Sequence, residues 1–234
     1  MHEFTATNHA MMVGWIARAV VETVGEKDGE RIVRKAVRKY ANQRGKRMAL
    51  RANSDGNKLT MDTYMAYCEW SADKGEVKQK ISEKTPDARI QISKCPWSTA
   101  WKENGLTQYG RYFCLEVDKS LVQGFNERLH VNVDKTMPNG HEVCDLLFKD
   151  ANLSANNMVK LLYRKAVKPG KSAVMSWEYH VGHLYKTMGE VIVSELGEQG
   201  SEIMAVALEN FREKYGEKAV QTIKKYKNTD FNRP

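Results

Sequence analysis

Three of the four cysteines lie in one central stretch of the sequence, at Cys95, Cys114 and Cys144. A cysteine attacks a substrate or binds a metal as its thiolate, so its surroundings decide whether it reacts. Asp118 follows Cys114 by one turn of a predicted helix, where its carboxylate could orient a reacting group or exchange a proton. These four residues are the candidate catalytic residues, and they predict nucleophilic chemistry that depends on a cysteine.

Two other interpretations of the cysteines remain open from the sequence. A cysteine often packs as a small hydrophobic residue, as we expect for Cys68 on the apolar face of a predicted helix. A metal site is the second interpretation, with imidazole ligands from His141, His180 or His183. The spacings of 19 and 30 residues between the three central cysteines match no compact zinc motif, so only the fold could assemble such a site.

Four further residues are candidates for binding the substrate. Arg44 and Arg47 lie near the end of a predicted basic helix, and a guanidinium can hold a carboxylate through two hydrogen bonds. Asn126 follows a glycine-containing turn, and His141 follows Gly140 in another turn. These residues predict a small-molecule substrate that carries a carboxylate.

The composition is typical of a soluble globular protein. The 234 residues are 41% hydrophobic and 9% aromatic, and four cysteines in this length predict reduced thiols and a cytoplasmic protein. The net charge of +8 comes from basic residues that interleave with acids along helical faces, which makes nucleic acid an unlikely partner. No apolar run is as long as a membrane span, so we expect no membrane partner. A homodimer through helical hairpins is a further expectation.

The periodicity of the sequence predicts an α+β fold in a single domain, residues 1–234. Four segments alternate between apolar and polar residues and predict one antiparallel sheet. The predicted parts are N-terminal helices (1–72), an α/β core (73–150) and a C-terminal helical hairpin (151–234). The predicted strands are 76–82, 88–95, 129–135 and 142–149.

The N-terminal and C-terminal helical hairpins have similar apolar patterns. Equivalent positions differ by 171 or 172 residues, and a one-residue change in a loop explains the shift. The similarity indicates either an internal duplication or two unrelated amphipathic hairpins, since two copies are a weak repeat signal. The matched pairs include Val20 with Ile192, Gly25 with Gly197, Ala36 with Ala207 and Tyr40 with Phe211.

The central stretch resembles the L-2-amino-thiazoline-4-carboxylic acid hydrolase family over roughly residues 10–150. The similarity rests on Cys95-Pro96, Gly105, Tyr112, Cys114, Asp118, Gly124-Phe125-Asn126, Thr136, Gly140 and Cys144-Asp145, with Arg44, Gly45 and Arg47 before them. His141 departs from the family pattern, in which we expect an acidic residue after the closing glycine.

The resemblance implies an enzyme that opens a C–N bond of a cyclic amidine by adding water, without a required cofactor. The expected reaction converts an aminothiazoline carboxylate to an N-carbamoyl-cysteine. Cys95 or Cys114 would serve as nucleophile, or a water would be activated in their place. Asp118 would protonate the leaving nitrogen, and Arg47 would hold the substrate carboxylate.

A weaker similarity connects the chain to the 4-vinyl reductase-like small-molecule-binding domains. Those domains also combine helices with an antiparallel sheet, and they close with a Gly-x-x-x-Cys strand, here Gly140 to Cys144. This similarity implies an alternative function, a non-catalytic or redox binding domain with zinc or haem at a Cys/His site. A resemblance at the level of the fold is an analogy, so the site must decide between the two functions.

Overall fold

The fold seen in a computed structural model of the chain, which describes residues 4–167 and 173–234, is α+β, as predicted. Helices lie before, between and after the strands of the sheet in the sequence. They are α1 (Ala6–Val24), α2 (Glu26–Ser54), α3 (Met61–Ala66), α4 (Pro96–Glu103), α5 (Thr107–Phe125), α6 (Ala155–Val167), α7 (Trp177–Leu196), α8 (Glu198–Tyr215) and α9 (Glu217–Lys224). Within the described ranges, no helix is both long and apolar enough to span a membrane.

The predicted four-stranded antiparallel sheet is confirmed. Its strands are β1 (Lys78–Glu83), β2 (Ala88–Lys94), β3 (Val131–Lys135) and β4 (Cys144–Phe148), in the order β1-β2-β4-β3. β4 pairs with a neighbour on each side, and Leu146 lies opposite both Ile90 and Val133. Four of the five residues of β4 are buried because this inner strand is covered more completely than the edge strand β1.

Helix α2 is longer than the sequence predicts. The spacing of the apolar residues predicts a helix over 30–48, whereas α2 runs from Glu26 to Ser54 and passes through Gly29 and Gly45 without ending. The glycines of the segment 25–29 predict a loop, but only Gly25 lies outside a helix, with φ +83°. Glycine at Gly29 and Gly45 permits close packing instead of a chain break.

The described residues form two compact units, each built from three chain segments. Unit 1 contains the chain up to Tyr40, Pro96–Glu116 and Ser176–Thr229. Unit 2 contains Ala41–Cys95, Val117–Met175 and Asp230–Pro234. Each unit thus combines N-terminal, central and C-terminal segments, and the single domain with boundaries near 72 and 150 stays a prediction.

Unit 1 is mainly helical and is built around α1. This helix packs against α4, α7 and α8, and it is buried along most of its length because most of its residues between Ala6 and Val20 are apolar. Arg31 and Lys35 of α2 bind Glu195 of α7 at 2.8 and 2.5 Å. The unit is therefore held by an apolar interior with ion pairs at its exposed edge.

The two helical hairpins of unit 1 share one packing feature. A Cβ on Gly29 would lie 2.8 Å from the Cα of Val21, and a Cβ on Gly200 would lie 2.8 Å from the Cα of Val193. The two glycines are 171 residues apart, so they occupy equivalent positions when the two hairpins are compared. Each lets its helix, α2 or α8, contact the preceding helix near its first turn. The hairpins share this helix contact, and an internal duplication stays a prediction.

Unit 2 packs the sheet against the C-terminal parts of α2 and α5, with α3 and α6. Two glycines bring α2 and α5 into backbone contact: a Cβ on Gly45 would lie 2.2 Å from the carbonyl oxygen of Leu121. A Cβ on Gly124 would lie 2.4 Å from the carbonyl oxygen of Asn42. Because the two backbones are in contact at these glycines, the side chains beside the crossing also lie close together.

Candidate functional site

The carboxyl group of Asp118 stands out in unit 2 because it is partly enclosed and has no partner among the described residues. Asp118 lies on α5 and is half-buried. No residue in 4–167 or 173–234 gives it a hydrogen bond or an ion pair, and its oxygens keep access to solvent. Burial raises the pKa of Asp118 to about 6, although the positive charge of Arg44 acts in the opposite direction. A carboxyl with this pKa can exchange a proton near neutral pH.

The close crossing of α2 and α5 explains why Arg44 acts on Asp118. Arg44 precedes Gly45, the residue that touches the backbone of Leu121. Asp118 lies three residues before Leu121, so it is on the same side of α5 at the crossing. The sequence predicted both side chains as site residues, and the two glycines bring them together.

Tyr64 is a member of this site that sequence analysis missed. Its ring packs against Phe125 of α5 and Phe148 of β4, with centroid distances of 5.7 and 6.4 Å. Burial raises the pKa of Tyr64 well above its usual value, and the charge of Asp118 raises it further, while the positive charge of Arg44 acts in the opposite direction. The hydroxyl therefore stays protonated at neutral pH, beside a carboxylate and a guanidinium.

Cys144 is a buried thiol at the start of β4. The backbone N–H of Met137 donates a hydrogen bond to its Sγ at 3.3 Å. Burial raises the pKa of Cys144, the Met137 hydrogen bond lowers it, and the charge of Asp118 raises it again. Cys144 is therefore a neutral thiol at neutral pH, which does not favour its predicted part as a nucleophile. We call Arg44, Tyr64, Cys68, Asp118 and Cys144 together the Asp118 cluster.

A buried ion cluster surrounds Glu69, the second residue that sequence analysis missed. The side chain of Glu69 has no exposed surface, and Arg47 binds it through two hydrogen bonds of 2.9 and 2.8 Å. Arg51 binds the same carboxylate at 2.6 Å and Arg44 at 3.3 Å. Charge-assisted bonds of this geometry are strong and fix the guanidinium planes. The cluster holds Arg44 in place on the side of α2 near Asp118.

Arg47 is committed to this cluster. Its side chain is 0% exposed, and it also donates to the carbonyl oxygen of Phe231 at 2.5 Å. A guanidinium without exposed surface cannot receive a substrate unless the cluster opens. The prediction that Arg47 binds the substrate carboxylate therefore finds no support in this geometry, whereas Arg44 keeps its place beside Asp118.

The other predicted site residues lie outside the Asp118 cluster. Cys114 is half-buried in unit 1, and Cys95 is half-buried after β2 in unit 2. Asn126 closes its own turn: its Nδ2 donates to the carbonyl oxygen of Leu59 at 2.8 Å, and its Oδ1 accepts from the N–H of Arg128 at 3.1 Å. His141 is exposed in the turn after Gly140. The catalytic and binding parts assigned to these residues stay predictions.

The histidines of unit 1 are packed among aromatic rings. Trp97 Nε1 donates to His9 Nδ1 at 2.9 Å, and His9 Nε2 is 2.9 Å from the hydroxyl of Tyr40. Because Nδ1 accepts this hydrogen bond, the His9 ring is neutral with its proton on Nε2. His180 and His183 are also buried in this unit. Throughout the residues that the structure describes, no group of three or more His, Cys, Asp or Glu side chains could hold a metal ion.

Comparison with known proteins gives one family. The sequence model of the L-2-amino-thiazoline-4-carboxylic acid hydrolase family matches residues 5–148, which is more than half of the chain. No curated protein and no solved structure matches the chain. The matched segment contains Arg44, Tyr64, Glu69, Asp118 and Cys144.

Proposed function

Since the chain belongs to the L-2-amino-thiazoline-4-carboxylic acid hydrolase family, we propose that it hydrolyses a small cyclic amidine that carries a carboxylate, such as an aminothiazoline carboxylate. The observation that supports this most directly is the Asp118 carboxyl. It is solvent-accessible, has no ion pair or hydrogen bond within the described residues, and has its pKa raised to about 6. A group with these properties in a cluster of functional side chains is a candidate acid or base.

The reaction adds one water to the amidine carbon of the ring. Ionised Asp118 takes a proton from this water as its oxygen bonds to the carbon. The water oxygen becomes the carbonyl oxygen of the product. Asp118 is suited to this step at neutral pH because it is mostly ionised there and yet remains more basic than an ordinary aspartate.

The identity of the product shows which ring bond has broken. An N-carbamoyl-cysteine forms only when the bond between the amidine carbon and the ring sulfur breaks, so sulfur and not nitrogen is the leaving atom. The two hydrogens of the water then end on the ring nitrogen and on the sulfur. Cleavage of the ring C–N bond, which the sequence-based expectation named, would give an S-carbamoyl-cysteine instead. We propose cleavage of the C–S bond for a substrate that yields the N-carbamoyl product.

Arg44 supplies the positive charge of the site. Its guanidinium is held by Glu69 and acts electrostatically on both Asp118 and Tyr64. A fixed cation at this place attracts a carboxylate-bearing substrate and stabilises negative charge that develops during the reaction. Cys144 contributes a neutral thiol in this scheme, and attack by Cys95 or Cys114 remains the competing prediction.

The proposal is tested by incubating the purified protein with the aminothiazoline carboxylate and identifying the product by mass and by thiol titration. C–S cleavage releases a free thiol, whereas C–N cleavage releases a free amine. We expect Asp118→Asn to lose at least about 100-fold in kcat, and we expect Asp134→Asn, which alters an exposed carboxylate bound to Arg89, to keep its rate. Binding of the substrate without turnover would favour the alternative, a small-molecule-binding domain.

A further inference from the structure

The hydroxyl of Tyr64 differs from that of Tyr67, the neighbouring tyrosine that follows α3. Tyr64 and Tyr67 are both buried, at 8% and 1% exposure. The Tyr67 hydroxyl donates to Asp55 at 2.5 Å and accepts from Asn57 at 2.9 Å. The Tyr64 hydroxyl has no hydrogen-bond partner among residues 4–167 and 173–234, and it keeps access to solvent. Buried tyrosines usually place this group on a protein partner, so the Tyr64 hydroxyl differs in being available to donate a hydrogen bond to a ligand.

The ring of Tyr64 packs against two aromatic neighbours. Phe125 and Phe148 hold the ring from α5 and β4, so the side chain has little freedom to turn. Asp118 lies two helical turns before Phe125 on α5, and Cys144 lies on the same face of β4 as Phe148. The ring contacts therefore place Tyr64 against the elements that carry Asp118 and Cys144.

We propose that the Tyr64 hydroxyl contacts the reacting centre of the bound substrate and donates a hydrogen bond to the ring sulfur as the C–S bond breaks. This inference rests on the proposed hydrolase function. Tyr64 keeps its proton during the step, because its pKa lies well above 10. The proton that the sulfur finally carries is the one that Asp118 took from the water, and the second hydrogen of the water goes to the ring nitrogen.

Tyr64→Phe tests the inference because it removes the hydroxyl and leaves the ring against its two phenylalanine neighbours. We expect kcat to fall about 10- to 100-fold, as for the loss of one donor aimed at developing charge, with KM changed less than about threefold. Thermal unfolding should show a melting temperature close to that of the wild type. The matched control is Tyr67→Phe, which should lower the melting temperature through the lost Asp55 and Asn57 hydrogen bonds and keep kcat.

The outcomes distinguish the inference from the proposed function. A wild-type rate in Tyr64→Phe, together with an inactive Asp118→Asn, would show that the Tyr64 hydroxyl does not act on the reacting bond. The proposed hydrolase function would still stand. A change in KM alone would also overturn it, since the hydroxyl would then bind the substrate without acting on the reacting bond. A wild-type protein that does not turn over the substrate would overturn both.

Discussion

The ionised carboxylate of Asp118 lowers the free energy of unfolding at neutral pH. Its pKa of about 6 lies about two units above the value of 3.8 for an ordinary aspartate. Below pH 4 the folded and unfolded chains both hold the proton, and between pH 4 and pH 6 only the folded chain does. Stability therefore falls as the pH rises through this interval, by about 3 kcal/mol at 1.36 kcal/mol per unit, and stays lowered above it. A group kept at this cost is more readily explained by function than by structure.

Asp118→Asn should be more stable than the wild type above pH 6, because the amide removes a charge that the site disfavours. We expect a gain of about 2–3 kcal/mol in the free energy of unfolding at pH 7.5 and almost none at pH 4. Urea unfolding at the two pH values measures both numbers. Equal stability of the two proteins at pH 7.5 would show that the carboxyl is not desolvated.

Residue types and local spacing reveal only part of the site. Asp118, Arg44 and Cys144 could be selected from the sequence because their types suit the chemistry. Tyr64 and Glu69 could not be selected from the sequence, because their importance depends on contacts with residues about 20 or more positions away. Examples are Arg44 for Glu69 and Phe125 for Tyr64. Arg47 shows why residue type alone is not enough: its type suits a carboxylate, and in the structure it binds the protein's own Glu69, so its part in substrate binding stays a prediction.

At the scale of the elements, the crossing of α2 with α5 determines the geometry of the site. Local sequence rules predict a helix end or a bend at Gly45 and a helix break at Gly124, the usual interpretation of an isolated glycine. Gly45 lies inside an unbroken helix, and both glycines are needed because backbone atoms of the other helix occupy the space of a side chain. The alternation of apolar and polar residues located all four strands, whereas no local sequence pattern could show that α2 and α5 are in contact.

Gly45→Ala should therefore be strongly destabilising. The new Cβ would lie 2.2 Å from the carbonyl oxygen of Leu121 and 2.6 Å from the backbone nitrogen of Phe125. Backbone atoms cannot move aside as a side chain can, so we expect a loss of at least about 2 kcal/mol, with separation of α2 from α5. Urea unfolding followed by circular dichroism measures the loss.

The matched control for this substitution is Gly189→Ala in α7. There the new Cβ would meet only the flexible side chain of Met204, at 3.3 Å. Alanine favours a helix by up to about 1 kcal/mol over glycine, so this variant should be as stable as the wild type or slightly more stable. If both variants lost stability equally, general crowding by the added Cβ, and not the α2–α5 crossing, would explain the result.

At the scale of the whole chain, the family match and the compact units divide the molecule differently. The match ends at residue 148, whereas unit 1 needs α7 and α8 from the C-terminal segment to cover α1. The apolar residues of α1, including Met12, Ile16 and Val20, are fully buried in the complete chain. The matched segment therefore lacks two of the helices that cover α1.

A chain truncated after residue 150 should fail to fold cooperatively. Loss of α7 and α8 would expose the apolar surface of α1, at a cost of about 25 cal/mol for each Å². We expect aggregation or a broad thermal transition, measured by calorimetry beside the full-length protein. A sharp, reversible transition in the truncated chain would contradict the structure of unit 1.

The central claim is that Asp118 acts as the base of a hydrolase, and the dependence of kcat/KM on pH tests it most directly. For the wild type and Asp134→Asn, we predict that kcat/KM for the aminothiazoline carboxylate rises with pH and reaches half its maximum near pH 6, where Asp118 ionises. For Asp118→Asn, we predict a rate lower by at least about 100-fold without this rise. A wild-type profile that is flat between pH 5 and pH 7, or an Asp118→Asn variant that keeps the wild-type rate, would contradict the account.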